Sequence, residues 1–419
     1  MSEHKHVAAI IGGAVSGSEA VRVLAEKGVH CVVFEQNSRP YGKIEDGLPR
    51  WHDKQRRNEY VKIDERLDHP NVTFVPKVTL GKDLSFQELV EDWGFSVVCL
   101  ANGAWRDRAI AVDGAENYAG KGIVLQNAFV YWFNHFIEAG YQGPEYTVHD
   151  GAMVVGGGLA SIDVVKILQI ELVRRALLEK GIEVDMHDLE KKGVAKILAS
   201  HDQSMDKLGL EGCTLYYRRR PIDMPLAAIE SGASEELKQK RLKIRQRILD
   251  NAQSKFLFKF QERSLPSGFV IDDDHVKGVE FIRTEIVDGR PKPIAGTEFE
   301  ATSPLIISSI GSVPDRIDGL DMRGEYYTFT DWDLGTIEGY DHVFGVGNVV
   351  TGQGNIAVSR QHGEHVANWV NENFLSKREA LAPAQVDNIL ERARALGASK
   401  GYEGRYADWI RSVMPPDMQ

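Results

Sequence analysis

Short apolar runs that end in glycine punctuate this chain, and residues with helical spacing follow them. Val7-Ala8-Ala9-Ile10-Ile11 runs into Gly12-Gly13-Ala14-Val15-Ser16-Gly17, then into a segment with Ala20, Val23 and Leu24 on one face, closed by Gly28. A continuous apolar run bounded by glycines predicts a buried parallel strand, and the spacing after it predicts a helix. Cys31-Val32-Val33-Phe34 predicts the next strand and delivers Glu35 at its end, so this stretch reads as a complete βαβ unit. The succession returns at Val154-Val155-Gly156-Gly157-Gly158-Leu159-Ala160-Ser161-Ile162-Asp163, with Cys213 to Tyr217 as the following strand and a long helical, mixed-charge segment, Val164 to Leu208, in between. Further strands are predicted at Phe95 to Ala101, Leu305 to Ile310 and His342 to Gly347, the last leading into a helix over Val358 to Asn371. Aromatics from Phe129 to Phe136 at near-helical spacing predict a core-facing helix. Between 255 and 302 the period changes to two, which predicts a β-meander turning at Gly268 and Gly289.

The glycine turns carry the first candidate chemistry. Gly156 permits a tight strand-to-helix turn, Gly158 lets backbone approach a pyrophosphate, and small Ser161 allows close helix packing over the strand. The helix N-terminus then offers unpaired N–H groups to the anion. Glu35, at the C-terminal edge of the second strand, is placed to accept hydrogen bonds from the ribose hydroxyls of an adenosine. Arg218-Arg219-Arg220 follows the strand after the second turn and suits a phosphate better than a bare ribose hydroxyl. Ala14 stands where the fingerprint has its second glycine, so its methyl group is expected near the pyrophosphate.

Composition narrows the classes. With 419 residues, 42% apolar and 26% charged, the chain is ordinary globular material, enough for two or three domains. A net charge of -11 argues against a nucleic-acid or anionic-membrane binder. Cys31, Cys99 and Cys213 are far apart and make no C-x-x-C, so no metal site, cysteine-held cluster or redox dithiol is expected. The polar start and the lack of any run near ~18 apolar residues lead to the expectation of a cytoplasmic protein.

Three further stretches, Arg39-Pro40-Tyr41-Gly42-Lys43-Ile44-Glu45-Asp46-Gly47-Leu48-Pro49, Gly81-Lys82-Asp83-Leu84 and Leu100-Ala101-Asn102-Gly103-Ala104, resemble the flavoprotein group containing adrenodoxin reductase, related ferredoxin–NADP reductases and the glutamate synthase small subunit. The resemblance spans roughly residues 5 to 370. It implies an α/β fold of two Rossmann-like dinucleotide-binding domains, the NAD(P) domain inserted into the FAD domain. The expected bounds are 1–115 and 325–375 for the FAD domain and 116–324 for the NAD(P) domain, with 376–419 as a helical tail outside the resemblance. Carried over residue by residue, it implies FAD at Gly12, Gly13, Ala14, Gly17, Glu35, Gln36, Lys43 and Val78, and again at Asn348, Gly354, Asn355 and Ile356. It implies NADP, rather than NAD, at Gly157, Gly158, Leu159, Ala160, Arg218, Arg219 and Glu230. His52 and Glu230 match positions near the nicotinamide, where they would orient the ring or relay a proton.

The implied activity is FAD-dependent electron transfer between NADP(H) and a ferredoxin-like one-electron carrier. Two other readings stay open. One is an FAD/NAD(P)-binding subunit of a larger complex of the 2-oxoacid:ferredoxin oxidoreductase or glutamate synthase type. The other is a cofactor-binding assembly or sensor protein without turnover, which rests on Ala14 and Asn348. A basic helix predicted over Ser234 to Ala252 carries Lys238, Lys240, Arg241, Lys243, Arg245 and Arg247; it is a solvated face or a docking surface for an acidic redox partner. The tail helix, with Val386, Ile389, Leu390, Ala393 and Leu396 on one side, packs on its own chain or docks a partner.

Overall fold

Val7–Ile11 is apolar at every position because both of its faces are covered. It pairs in parallel with His30–Glu35 on one side and with Val97–Leu100 on the other. Ala8 and Ile10 enter one hydrophobic core while Val7, Ala9 and Ile11 enter another, as the period of two along a strand requires. The computed structural model describes residues 5–229 and 232–415. They belong to two units, one built from the chain up to Arg106 and from Ser312 onward, the other from Asp107 to Gly311. The divisions fall before the positions 115 and 324 expected from the sequence, and the described part of the tail, residues 376–415, joins the first unit.

The first unit holds a seven-stranded sheet in the order Phe329–Asp331, Thr336–Ile337, Val343–Gly345, Val97–Leu100, Val7–Ile11, His30–Glu35, Val72–Pro76. Its last five strands are parallel and the first two form an antiparallel extension. Ala20, Val23 and Leu24 of the helix Val15–Glu26 are buried as the spacing predicts. The helix is nonetheless buried on nearly all sides, because Ile356–Trp369 packs across it: a Cβ on Gly363 would lie 2.7 Å from the Ser16 carbonyl. Glu19, only 2% exposed, pairs with Arg22 and Arg66, which supplies the compensation a buried carboxylate needs.

The tail packs on its own chain. Val386, Ile389, Leu390 and Ala393 of the helix Pro383–Ser399 enter the core that holds Val75, Leu89 and Trp93, and the Arg392 guanidinium lies 4.2 Å from the Trp93 ring centroid.

In the second unit five parallel strands lie in the order Ile123–Leu125, Ile306–Ser309, Met153–Gly156, Thr214–Tyr216, Lys259–Gln261. An antiparallel meander follows, Ser264–Asp272, His275–Val287 and Arg290–Thr302. Its turns are Asp273-Asp274 and Asp288-Gly289, all four with positive φ, as two-residue hairpins prefer. Gly268 is therefore not a turn; it sits inside a strand at a register shift, with Glu280 as partner.

The segment after Gly158 forms helices at Leu159–Glu179, Met186–Lys192, Val194–Ser200 and Met205–Leu208. The basic helix runs over Glu235–Phe256, capped by Ser234 and longer than predicted. Its end is held by Gln169, which is 0% exposed: the Gln169 amide donates to the Phe256 and Leu257 carbonyls at 3.0 and 2.9 Å and accepts from the Cys213 N–H at 3.1 Å. Among the described residues no helix is long and apolar enough to cross a membrane.

Gln169→Leu keeps the volume but leaves the buried Phe256 carbonyl, the half-buried Leu257 carbonyl and the buried Cys213 N–H without this partner. An unsatisfied buried group costs about 1–3 kcal/mol. Denaturant unfolding of the variant should show a loss of at least ~2 kcal/mol; a loss within ~0.5 kcal/mol, the range of an ordinary surface substitution, would show that the amide bonds do not hold the helix end.

Candidate cofactor-binding sites

In the first unit the chain leaves Val7–Ile11 between two strands that it reaches in opposite directions, the crevice where open α/β sheets bind ligands. Gly12 sits there with φ +96, and a Cβ on it would lie 2.7 Å from the Ala101 carbonyl. A Cβ on Gly17 would lie 1.9 Å from the Gly12 carbonyl, so the helix closes on the turn only because both residues lack side chains. Ala14 caps the helix with no side-chain acceptor, which leaves its first amides to an anion. The Ala14 methyl points at Gly42, where a Cβ would approach it to 2.9 Å. The departure from the glycine fingerprint is thus accommodated by a glycine elsewhere.

Glu35 is 3% exposed and accepts from the Gly13 and Asn37 N–H groups, both at 2.9 Å. Burial pushes its pKa up to about 7, against the opposing pull of those two amides. Each carboxylate oxygen keeps a lone pair for a hydroxyl donor. Gln36 beside it is exposed. Val78 lies in the core at 1% exposure, and its N–H donates to the Glu35 carbonyl at 2.9 Å. Asn102, just past the strand that closes on Gly12, was not among the predicted site residues. Its amide donates to the Tyr327 hydroxyl at 3.0 Å, while its buried Oδ1 has no protein partner among the described residues.

Lys43 Nζ donates to Ser312 Oγ at 2.7 Å and lies 5.4 Å from the Trp105 ring centroid. His52 is half-buried, directly before the helix Asp53–Leu67, with its ring 6.0 Å from that of Trp51. Asn348 Oδ1 accepts from the Gly354 N–H at 2.7 Å and so closes its own loop. Asn355 Oδ1 accepts from the Ala357 and Val358 N–H groups at 2.9 and 3.2 Å. The helix therefore starts at Ile356, not Val358, and a side chain already fills part of its N-terminus.

The second unit repeats the crevice. A Cβ on Gly156 would lie 2.2 Å from the Ser309 carbonyl. Ser161, 0% exposed, donates to that carbonyl at 2.9 Å and accepts from the Gly158 N–H at 3.3 Å, so a hydroxyl does by bonding what Gly17 does by absence. Gly157 lies under the Tyr217 ring, 2.2 Å from where its Cβ would be, and the space above Gly158 is open. Leu159 and Ala160 are exposed at the helix start.

The three arginines divide. Arg220 forms a two-pronged pair with Asp223 at 2.9 and 3.0 Å and is committed to its own turn. The backbone of Arg218 and Arg219 is pinned to the meander, by Thr284 Oγ1 at 2.8 Å and the Arg263 N–H at 3.1 Å. Their side chains pair with no acid among the described residues. Glu230 lies outside the described residues.

Two dinucleotide-type crevices, in two units with the chain of one interrupted by the other, define the class: an α/β fold of two Rossmann-like domains. No protein-family model matches the chain. It is similar to the NADPH-Fe(3+) oxidoreductase subunit beta of Geobacter sulfurreducens, 26% identical over 317 residues, covering 73% of this chain but 37% of that protein. It is also similar to the mitochondrial NADPH:adrenodoxin oxidoreductase of Arabidopsis thaliana, 24% identical over 376 residues, with 80% and 75% covered. The structure of Mycobacterium tuberculosis FprA in complex with NADPH superposes with a TM-score of 0.71 at 19% identity over 97% of this chain and 99% of that one, which establishes the fold. The resemblance read from the sequence is borne out by these relatives.

The Glu35 carboxyl carries a pH dependence. Its folded pKa lies above the ordinary 4.5, so as pH rises the unfolded chain releases this proton first and stability falls between 4.5 and about 7. In the FAD-free protein, Glu35→Gln should flatten that decline in urea-unfolding free energy. An unchanged slope would show that Glu35 ionises normally in the fold.

Proposed function

We propose that this chain is an FAD-dependent oxidoreductase that passes electrons between NADPH and a ferredoxin-like one-electron carrier. The observation that carries the reading is the pair of crevices with different second features: a buried acid after the first turn, and after the second two arginines that form no ion pair among the described residues. Gly12, Gly13 and Gly17 would admit a pyrophosphate at the uncapped helix Val15–Glu26, with Glu35 accepting from ribose hydroxyls. Asn348, Gly354 and Lys43 would complete the FAD site, and Asn102 Oδ1, which has no protein partner among the described residues, fits a further donor from the cofactor. Bound there, FAD supplies the exchange between a two-electron hydride donor and single-electron carriers. Gly157, Gly158, Leu159 and Ala160 would hold the NADP pyrophosphate, Arg218 and Arg219 its 2′-phosphate. His52 and Glu230 would orient the nicotinamide or move a proton.

A second reading, a subunit of a larger redox complex, is favoured by one observation: a relative named as a subunit is more than twice as long as the part this chain matches. Copurification with a partner chain decides between the two.

Purified protein should be yellow, or become so with added FAD, and NADPH should bleach it. A colourless protein that takes up no FAD overturns the reading. NADPH should be preferred to NADH, and Arg218→Ala or Arg219→Ala should each cost about 1.5–3 kcal/mol of that preference, since each removes a charge-assisted phosphate contact. Equal use of both nucleotides by the unaltered enzyme would remove the role given to the arginines.

Docking is tested on the basic helix. Lys240, Lys243 and Arg247 are exposed and share one stripe, whereas Arg245 donates to the Ala227 carbonyl at 2.9 Å and to that of Ile222, and so is taken out of the face. Reversing Lys243 and Arg247 to glutamate should raise the KM for ferredoxin while ferricyanide reduction stays unchanged. Indifference of ferredoxin reduction to both the reversal and added salt would make the helix a solvated face only.

A further inference from the structure

The last described helix, Tyr406–Val413, lies against the loop that separates Glu35 from Lys43. Trp409 Nε1 donates to the Ser38 carbonyl at 2.8 Å, and Arg39 donates to the Val413 carbonyl at 2.8 Å. Tyr406 and Tyr41 share one acceptor: their hydroxyls donate to the Asp64 carboxylate at 2.7 and 3.1 Å. From the opposite side Lys77 holds its ammonium 5.1 Å from the Trp409 ring centroid. The Lys77 N–H donates to the Asn37 carbonyl at 3.2 Å, and the Asn37 N–H is one of the two donors to the Glu35 carboxylate.

A series of contacts, one ammonium–ring approach and two backbone hydrogen bonds, thus runs from Trp409 of this helix to the acid expected to hold a ribose. Lys77 has φ +58 without being glycine, a conformation that persists only where the surroundings hold it. Tyr406 and Ile410 are buried in the core that contains Tyr41, Ile44 and Phe74, so the helix is seated. Trp409 is only half-buried: its ring packs against the same core, edge-on to Tyr402 at 5.7 Å, while its N–H reaches the loop.

We infer that Trp409 and Tyr406 are positioning residues of the FAD site, holding Glu35 and the loop after it in the geometry that receives the adenosine end. The inference rests on the reading of the first unit as an FAD domain. FAD bound there would meet the segment 35–43, which the helix already meets through Trp409 and Arg39, so each would stabilise the arrangement that the other requires. Such linkage is reciprocal: the seated helix strengthens FAD binding, and FAD strengthens the seating.

The test uses the full-length protein freed of FAD. Trp409→Ala should weaken FAD binding about tenfold or more, read by flavin fluorescence titration, while NADP+ affinity, which belongs to the other unit, stays unchanged. Trp409→Phe keeps an aromatic ring beside Lys77 and loses only the N–H donor, so it should recover part of the loss. Tyr406→Phe, which removes one hydroxyl and keeps the buried ring, should weaken FAD in the same direction. In the unaltered protein FAD should slow hydrogen exchange of the amides of residues 406–413. A lowered melting temperature with unchanged FAD affinity, or exchange indifferent to FAD, overturns the inference and leaves the helix a structural element only. Failure of the unaltered protein to take up FAD overturns the underlying reading as well, and is distinguishable because it precedes any substitution.

Discussion

The missing Cβ at Gly12 and Gly156 is the constraint on which both units depend. At each turn the space a side chain would need is occupied by the carbonyl of a neighbouring strand end, Ala101 in one unit and Ser309 in the other, at 2.7 and 2.2 Å. Two adjacent parallel strands can end side by side only if the chain leaving the first carries nothing there. That closure brings the following helix onto the crevice with its N–H groups forward, where the helix dipole favours an anion. Gly17 and Ser161 then solve the next problem differently. The first vacates the space over the Gly12 carbonyl, and the second fills it with a hydroxyl that bonds both Ser309 and Gly158.

Buried charge separates scaffold from site. Glu19 and Glu59 are as deeply placed as Glu35, but they are matched by Arg22, Arg66, Lys62 and Arg360, which tie three helices together. Glu35 is surrounded by amide dipoles and has no cation partner among the described residues, so burial wins and its pKa rises. A buried acid stabilised by dipoles alone is poorly compensated until a donor arrives, and such groups concentrate at binding sites. The cysteines show the converse. Burial raises all three thiols, and at Cys213 it outweighs the one backbone N–H that favours the thiolate.

What was legible in the sequence is what depends on near neighbours. Apolar pentads bounded by glycine gave the central strands, and a serine before a charged helical segment gave the start at Ser234. The Asp273-Asp274 turn was missed because two aspartates signal a type I′ turn less clearly than Asn-Gly, and Gly268 was misread because a strand bulge uses glycine too. What could not be read locally were partnerships between distant positions. Gly42 makes room for the Ala14 methyl, Asp223 removes Arg220 from the phosphate run, and Ile222 and Ala227 remove Arg245 from the basic face. The tail was ambiguous for the same reason, since an apolar stripe does not say what covers it, and here the covering residues lie some three hundred positions earlier.

Net charge is a poor guide to what a partner meets on this surface. The chain carries -11 overall, but exposed charges more than about 10 Å apart are largely screened at 0.1 M salt. The field at the helix Glu235–Phe256 is therefore set by its own charges, the exposed Lys240, Lys243 and Arg247 among them, rather than by the net charge of the chain. The orientation of that stripe is not left to the helix alone. Ser234 accepts from the Leu237 N–H at its start, Gln169 holds the carbonyls at its end, and Arg245 fastens its middle to the preceding loop. Three anchors on one helix fix which face is turned to solvent, so the exposed cations are presented by a rigid element rather than a wandering one. A short-range field on a fixed face need not share the sign of the chain as a whole, because only charges within about a Debye length contribute to it.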